Sequence, residues 1–132
     1  MKHRILIVDD DVDITALLRR WLERDGHDVD DTRDGPSGLR LALNGPYDLA
    51  FIDIGLPALD GYEIARKVRA TRVIGRPCLV ALTANTDEPD QAFAAGFDAH
   101  VLKPVEEKTI AAVLEQMPSM MAAVRGSETS RG

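Results

Sequence analysis

The chain has 132 residues, 45% of them hydrophobic and 29% charged, ordinary values for one globular domain with a single core. Lys and Arg number 16 against 22 Asp and Glu, and the resulting charge of −6 argues against a nucleic-acid surface. No apolar run approaches the ~20 residues that cross a bilayer, and Cys78, the single cysteine, cannot form an internal disulfide. The expected setting is therefore a reducing cytoplasm, with no membrane partner.

Met1-Lys2-His3-Arg4 runs straight into the apolar stretch Ile5–Val8, too short for a signal-peptide core. Ile14, Leu17, Leu18, Trp21 and Leu22 then recur at helical spacing and predict a first amphipathic helix ending near Gly26. A weak strand follows near Val29; its neighbours Asp28, Asp30 and Asp31 suit an exposed sheet edge. Asp34-Gly35-Pro36 opens a second helix that should stop at Gly45, before a third strand, Leu49–Ile52. Asp60-Gly61-Tyr62-Glu63 reads as a capping box for the third helix. The run Cys78–Leu82 predicts a fourth strand, with Cys78 as a small core residue rather than a reactive thiol. Thr86-Asp87-Glu88-Pro89 marks a fourth helix start, Gly96 its stop, and Val101–Leu102 a fifth strand. Ile110, Val113, Leu114 and Met117 carry the last helical stripe. The folded domain is expected over residues 1–120, with 121–132 a frayed tail rich in Gly and Ser.

Five alternations of strand and helix predict an α/β fold, a doubly wound five-stranded parallel sheet with helices on both faces. Ligands of such sheets bind beyond the carboxyl ends of the strands. The residues there are Asp9 and Asp10 after the first strand, Asp53 after the third, Thr83 after the fourth and Lys103 near the end of the fifth. An Asp after a strand is commonly a turn or helix cap, which is the expected role of Asp11. Carboxylates, a hydroxyl and an ammonium from separate strands at one rim are harder to assign to capping. Crowded carboxylates repel unless a cation compensates, and a few hard oxygen ligands with room for water and phosphate suit Mg²⁺. Asp53 can then stay ionised and act as a nucleophile toward phosphorus, with Lys103 and Thr83 available to the phosphoryl oxygens.

In Ile7-Val8-Asp9-Asp10, Asp53-Ile54-Gly55-Leu56-Pro57 with Asp60-Gly61, Leu82-Thr83-Ala84 and Lys103-Pro104, the chain resembles the receiver domain of two-component response regulators. The likeness runs from Ile5 to about Met117 and implies a flavodoxin-like sheet of strand order 2-1-3-4-5. It implies Asp53 as phosphoacceptor, and Asp10, Asp53 and the Gly55 backbone carbonyl as Mg²⁺ ligands, with Asp9 acting largely through water. Lys103 would be the phosphate counter-ion, and Pro104 would follow a cis peptide. Gly55 and Asn85, two residues beyond Asp53 and Thr83, would flank the path of the hydrolytic water. The phosphoryl donor would be a phosphohistidine on a sensor kinase or histidine phosphotransfer protein. The output partner would dock on the face of the fourth helix, fifth strand and fifth helix, including Phe93 and His100. Family members often carry Tyr or Phe where His100 stands. That histidine is either a smaller version of the ring that turns inward as Thr83 moves, or a strand-end residue with no switching role.

Two other readings compete. A haloacid-dehalogenase-type phosphatase wants a second Asp two residues after the nucleophile, where this chain has Gly55, and usually a cap domain. A degenerate receiver acting only as an interaction module would lack an acid, the threonine or the lysine, and all are present. The chain is expected to catalyse only its own phosphorylation and dephosphorylation, without turnover. No output segment is legible after Met117, which suits a stand-alone receiver or one excised from a longer chain. Asp53–Pro57 and Gly96-Phe97-Asp98-Ala99-His100 resemble receivers fused to hybrid sensor kinases.

Overall fold

The computed structural model describes residues 2–71, 77–84 and 89–117. In chain order these form β1 (Arg4–Val8), α1 (Val12–Arg24), β2 (Asp28–Thr32), α2 (Gly35–Asn44), β3 (Leu49–Asp53), α3 (Gly61–Thr71), β4 (Cys78–Thr83), α4 (Pro89–Ala95) and β5 (Ala99–Leu102). Helical residues 107–117 follow as α5. The expected helix start at Thr86–Glu88, Asn85 and the tail 121–132 lie outside the described residues.

All strand pairs are parallel, as the alternation of elements predicts, and their order β2-β1-β3-β4-β5 is the one the resemblance implies. Ile5 pairs with Leu49, Leu49 with Cys78 and Val80 with Ala99, so the apolar runs lie side by side. Successive side chains point to opposite faces, and each face carries its own core. Ile5, Ile7, Phe51, Val80 and Leu82 pack with Leu18 and Leu22 of α1 and with Ile110, Val113 and Met117 of α5. On the other face Leu6, Val8, Ile52 and Leu79 meet Ala42 of α2, Ile64 and Val68 of α3, and Ala92 of α4. Strands covered on both sides need no in/out alternation, which is why they read as continuous apolar runs.

Leu17 departs from the expected stripe. Thr15, Leu18 and Leu22 centre the buried face of α1, Ile14 and Trp21 flank it, and Leu17 falls beyond it, 38% exposed. At the β2 edge the acids are answered by cations from neighbouring elements. Lys2 lies 3.4 Å from Asp28, Arg4 lies 3.2 Å from Asp30, and Arg19 pairs with Asp31. Tyr47 Oη donates to Asp30 at 2.7 Å. Burial and that bond push its pKa up to about 12. Among the described residues, no helix is long and apolar enough to cross a membrane.

Candidate functional site

Asp53 and Thr83 are the last residues of β3 and β4 rather than the first after them, because backbone pairing continues to the rim. Ile54 N–H donates to Leu82 O at 3.1 Å, and Lys103 N–H donates to Thr83 O at 2.8 Å. Both side chains are consequently held by sheet backbone, and both residues are buried. The β3–α3 loop closes tightly over Asp53. A Cβ on Gly61 would come within 2.7 Å of Asp53 O, so only glycine allows α3 to begin there.

After β1 the chain places its acids by hydrogen bonding. Asp11 caps α1, its Oδ1 accepting from Asp13 N–H at 2.9 Å and Ile14 N–H at 3.2 Å. Asp9 is fully buried, and its Oδ1 accepts from Asp11 N–H at 2.9 Å. Asp53 Oδ1 accepts in the same way from Gly55 N–H at 2.9 Å. The remaining oxygens converge on one ammonium. Lys103 Nζ lies 3.1 Å from Asp9 Oδ2 and 3.3 Å from Asp53 Oδ2. The lysine approaches Asp9 Oδ2 at an angle that leaves this buried oxygen without a well-directed hydrogen bond.

Burial pushes the Asp9 carboxyl above its ordinary range; the Asp53 carboxylate adds to this, and the Asp11 N–H and Lys103 oppose it. For Lys103, burial works against the ammonium, but Asp9 and Asp53 outweigh it and hold the pKa up. Carboxylate oxygens of Asp9, Asp10 and Asp53 all lie within 4.8 Å of one another, with Asp10 open to solvent. A single lysine does not balance three carboxylates. The set fits a small divalent cation with hard oxygen ligands, reached from the Asp10 side.

The structure brings Asp9, Asp10, Asp53 and Lys103 into contact range and sets Thr83 on the same rim. The Lys103–Pro104 peptide is cis. His100 lies apart from this cluster, exposed on β5, with its ring edge-on to Phe93 of α4 at 6.1 Å. Phe93 is 49% and Leu102 41% exposed, forming an apolar strip beside that histidine. The double engagement of Lys103 was not legible in the sequence, because it depends on how close the ends of β1 and β3 lie in the sheet.

Residues 5–115 match the model of the response regulator receiver domain. The transcriptional regulatory protein ResD of Bacillus subtilis is 33% identical over 109 residues, 81% of this chain and 44% of that protein. The chain spans about half the length of the curated relatives it matches. A receiver domain of a sensor histidine kinase from Pseudomonas aeruginosa PAO1, solved with a magnesium ion coordinated in its active site cleft, is 30% identical. The match covers 89% of this chain and 98% of that one, with a TM-score of 0.79. A CheY-like receiver domain from Methanospirillum hungatei JF-1 is 28% identical, covering 93% and 99% of the two chains, with a TM-score of 0.82. The chain belongs to the response regulator receiver domain family.

Proposed function

We propose that this domain takes a phosphoryl group from a phosphohistidine onto Asp53 and thereby alters a surface read by a partner protein. One observation carries the reading: a buried Asp53 at the end of the central strand, 3.3 Å from Lys103, amid carboxylates gathered within 4.8 Å. Asp10, Asp53 and the Gly55 carbonyl would hold Mg²⁺, with Asp9 contributing largely through water. When bound, the ion supplies positive charge against the phosphoryl oxygens.

The chain's own groups account for the rest. Gly55 N–H fixes Asp53 through Oδ1 and leaves Oδ2, beside Lys103, as the attacking oxygen. The new O–P bond forms as the N–P bond of the phosphohistidine breaks, and the leaving imidazole retains its electron pair and takes a proton. Lys103 then turns from the two carboxylates to a phosphoryl oxygen, and the Thr83 hydroxyl donates to another. Positioning and charge neutralisation are what phosphoryl transfer asks for. Gly55 offers no acid for a turnover phosphatase, so one phosphoryl group per chain is expected. The donor is a histidine kinase or phosphotransfer protein, and the output face is α4, β5 and α5.

The test is intact-mass measurement after incubation with phosphoramidate and Mg²⁺. A single added phosphoryl group is expected, lost in Asp53→Asn. Full labelling of that variant, or catalytic turnover of p-nitrophenyl phosphate, sinks the reading.

A further inference from the structure

At the end of the sheet opposite the acidic cluster, Arg69 near the end of α3 joins two other parts of the chain, the residue before β4 and the α4–β5 connection. Its Nε donates to Gly96 O at 2.8 Å, one Nη to Pro77 O at 2.9 Å, and the other to Asp98 Oδ2 at 2.6 Å. Asp98 Oδ2 also accepts from Leu79 N–H at 2.9 Å, and Asp98 N–H donates to Leu79 O at 2.8 Å. The pair is mostly buried, with side chains 15% and 19% exposed. Such a planar fork fixes orientation as well as charge, and a lysine cannot reproduce it.

The corner is built around this side chain. Gly96 ends α4 at φ +115°, with its N–H on Phe93 O at 3.0 Å and Phe97 N–H on Ala92 O at 3.1 Å. A Cβ there would stand 2.5 Å from Arg69 Cγ, so the glycine serves both the turn and the passage of the arginine stem. Phe97, buried, packs edge-on against Tyr62 of α3 at 6.5 Å.

The elements meeting here are those that carry the response in the reading above, on which this inference rests. β4 ends in Thr83, α4 carries Phe93, and β5 carries His100 and leads to Lys103. A strand of six residues is roughly 20 Å long, so the corner and Thr83 occupy opposite ends of the same lever. A displacement at Thr83 reaches the Phe93–His100 pair as a defined rotation only if the far end does not slide. We infer that Arg69 is a positioning residue of the switch, clasping the α4–β5 corner so that phosphorylation at Asp53 is delivered to the Phe93–His100 surface.

Arg69→Met tests this by NMR, following Phe93 and His100 amides and the His100 ring upon addition of beryllofluoride with Mg²⁺. Beryllofluoride stands in for the phosphoryl group. Parent protein should shift at these positions; a parent that neither labels at Asp53 nor shifts refutes the functional reading itself. In a folded Arg69→Met, Mg²⁺-dependent labelling of Asp53 should match the parent, while shifts at Phe93 and His100 fall at least twofold. Arg69→Lys should restore the stability more than the shifts. Parent-sized shifts in folded Arg69→Met make the arginine a stabilising residue only and overturn the inference. If Arg69→Met does not fold, Asp98→Asn decides: it keeps an acceptor oxygen and removes the charge. Reduced shifts with parent labelling support the clasp, and unchanged shifts overturn it.

Discussion

Lys103 Nζ lies 3.1 Å from Asp9 Oδ2, so the ammonium proposed to meet the phosphoryl group already serves as the counter-ion of a fully buried carboxylate. Lys103→Met should leave Asp9 and Asp53 facing each other without a cation. Removing one partner of a buried pair leaves the other charge uncompensated. A loss of about 1–3 kcal/mol is expected, given that the lysine is partly solvated. Urea denaturation with and without Mg²⁺ checks this, since a metal in the cluster should recover part of the loss. A variant as stable as the parent, with no added Mg²⁺ response, contradicts the proposed charge balance.

Asp10 differs from Asp9 and Asp53, the other two acids of the cluster, in being exposed. A cation that binds the folded cluster and not the unfolded chain raises the melting temperature by mass action. Mg²⁺ should therefore stabilise the parent, and Asp10→Ala should remove most of that increase. Without metal the same variant should be as stable as the parent or slightly more so, because one of the mutually repelling charges is gone. An undiminished Mg²⁺ shift in Asp10→Ala would mean that the ion sits elsewhere.

Most of the fold was legible because buried parallel strands and amphipathic helices each leave a periodic trace. Ile5–Val8 and Cys78–Leu82 are apolar on both faces, and Ile110, Val113 and Met117 repeat at helical spacing. Where the trace is weak, the missing information is tertiary. The acids of β2 are tolerable because Arg4 and Arg19 reach them from β1 and α1. Leu17 looked like core because i, i+3, i+4 spacing defines a stripe without fixing its width. The ends of β3 and β4 extend to Asp53 and Thr83 because their backbone groups find partners, which hydropathy does not encode. The Arg69–Asp98 pair joins residues far apart in sequence, and neither side chain carries a local signal.

His27 is expected to make stability depend on pH independently of the acidic cluster. His3 N–H donates to His27 Nδ1 at 3.0 Å, and the two rings stack at 5.4 Å. Burial, then the charge of His3, lowers the His27 pKa below 6.5. The folded state thus prefers the neutral ring, whose Nδ1 is free to accept. The resulting stability is present above the unfolded value of 6.5 and is lost as pH falls through the lower folded value. Urea midpoints between pH 8 and 5 should fall for the parent and change less for His27→Gln. Parallel profiles would exclude this histidine as the cause.

Gly55 leaves space above Asp53, the proposed phosphoacceptor. A Cβ at this position would stand 3.5 Å from Asp53 Oδ1, an ordinary contact, so Gly55→Asn should fold without strain. Its amide would then lie beside the approach to the proposed acyl phosphate, able to orient or block water. The dephosphorylation rate should change several-fold, about 1 kcal/mol in barrier. Asn85→Ala is expected to act on the same step. Loss of label followed by intact mass gives both rates, and values equal to the parent's would remove these positions from hydrolysis.

His100 meets Phe93 edge-on at 6.1 Å while remaining exposed, so its ring rests on the surface in this conformation. His100→Ala should consequently change stability by no more than about 0.5 kcal/mol. Its effect should appear in coupling instead. If Thr83 vacates space on moving toward the phosphoryl group, a ring at position 100 can enter it, and binding at Asp53 shifts the balance between outward and inward rings. Removing the ring should then shrink the beryllofluoride-induced shifts at Phe93 and along β5. His100→Tyr should enlarge them, since a phenol buries more apolar surface than an imidazole. This test is separate from that of Arg69, because His100→Ala leaves the α4–β5 corner untouched. Should both His100 variants reproduce the parent's shifts, the histidine is a surface residue, and Phe93 responds to Thr83 through α4 alone.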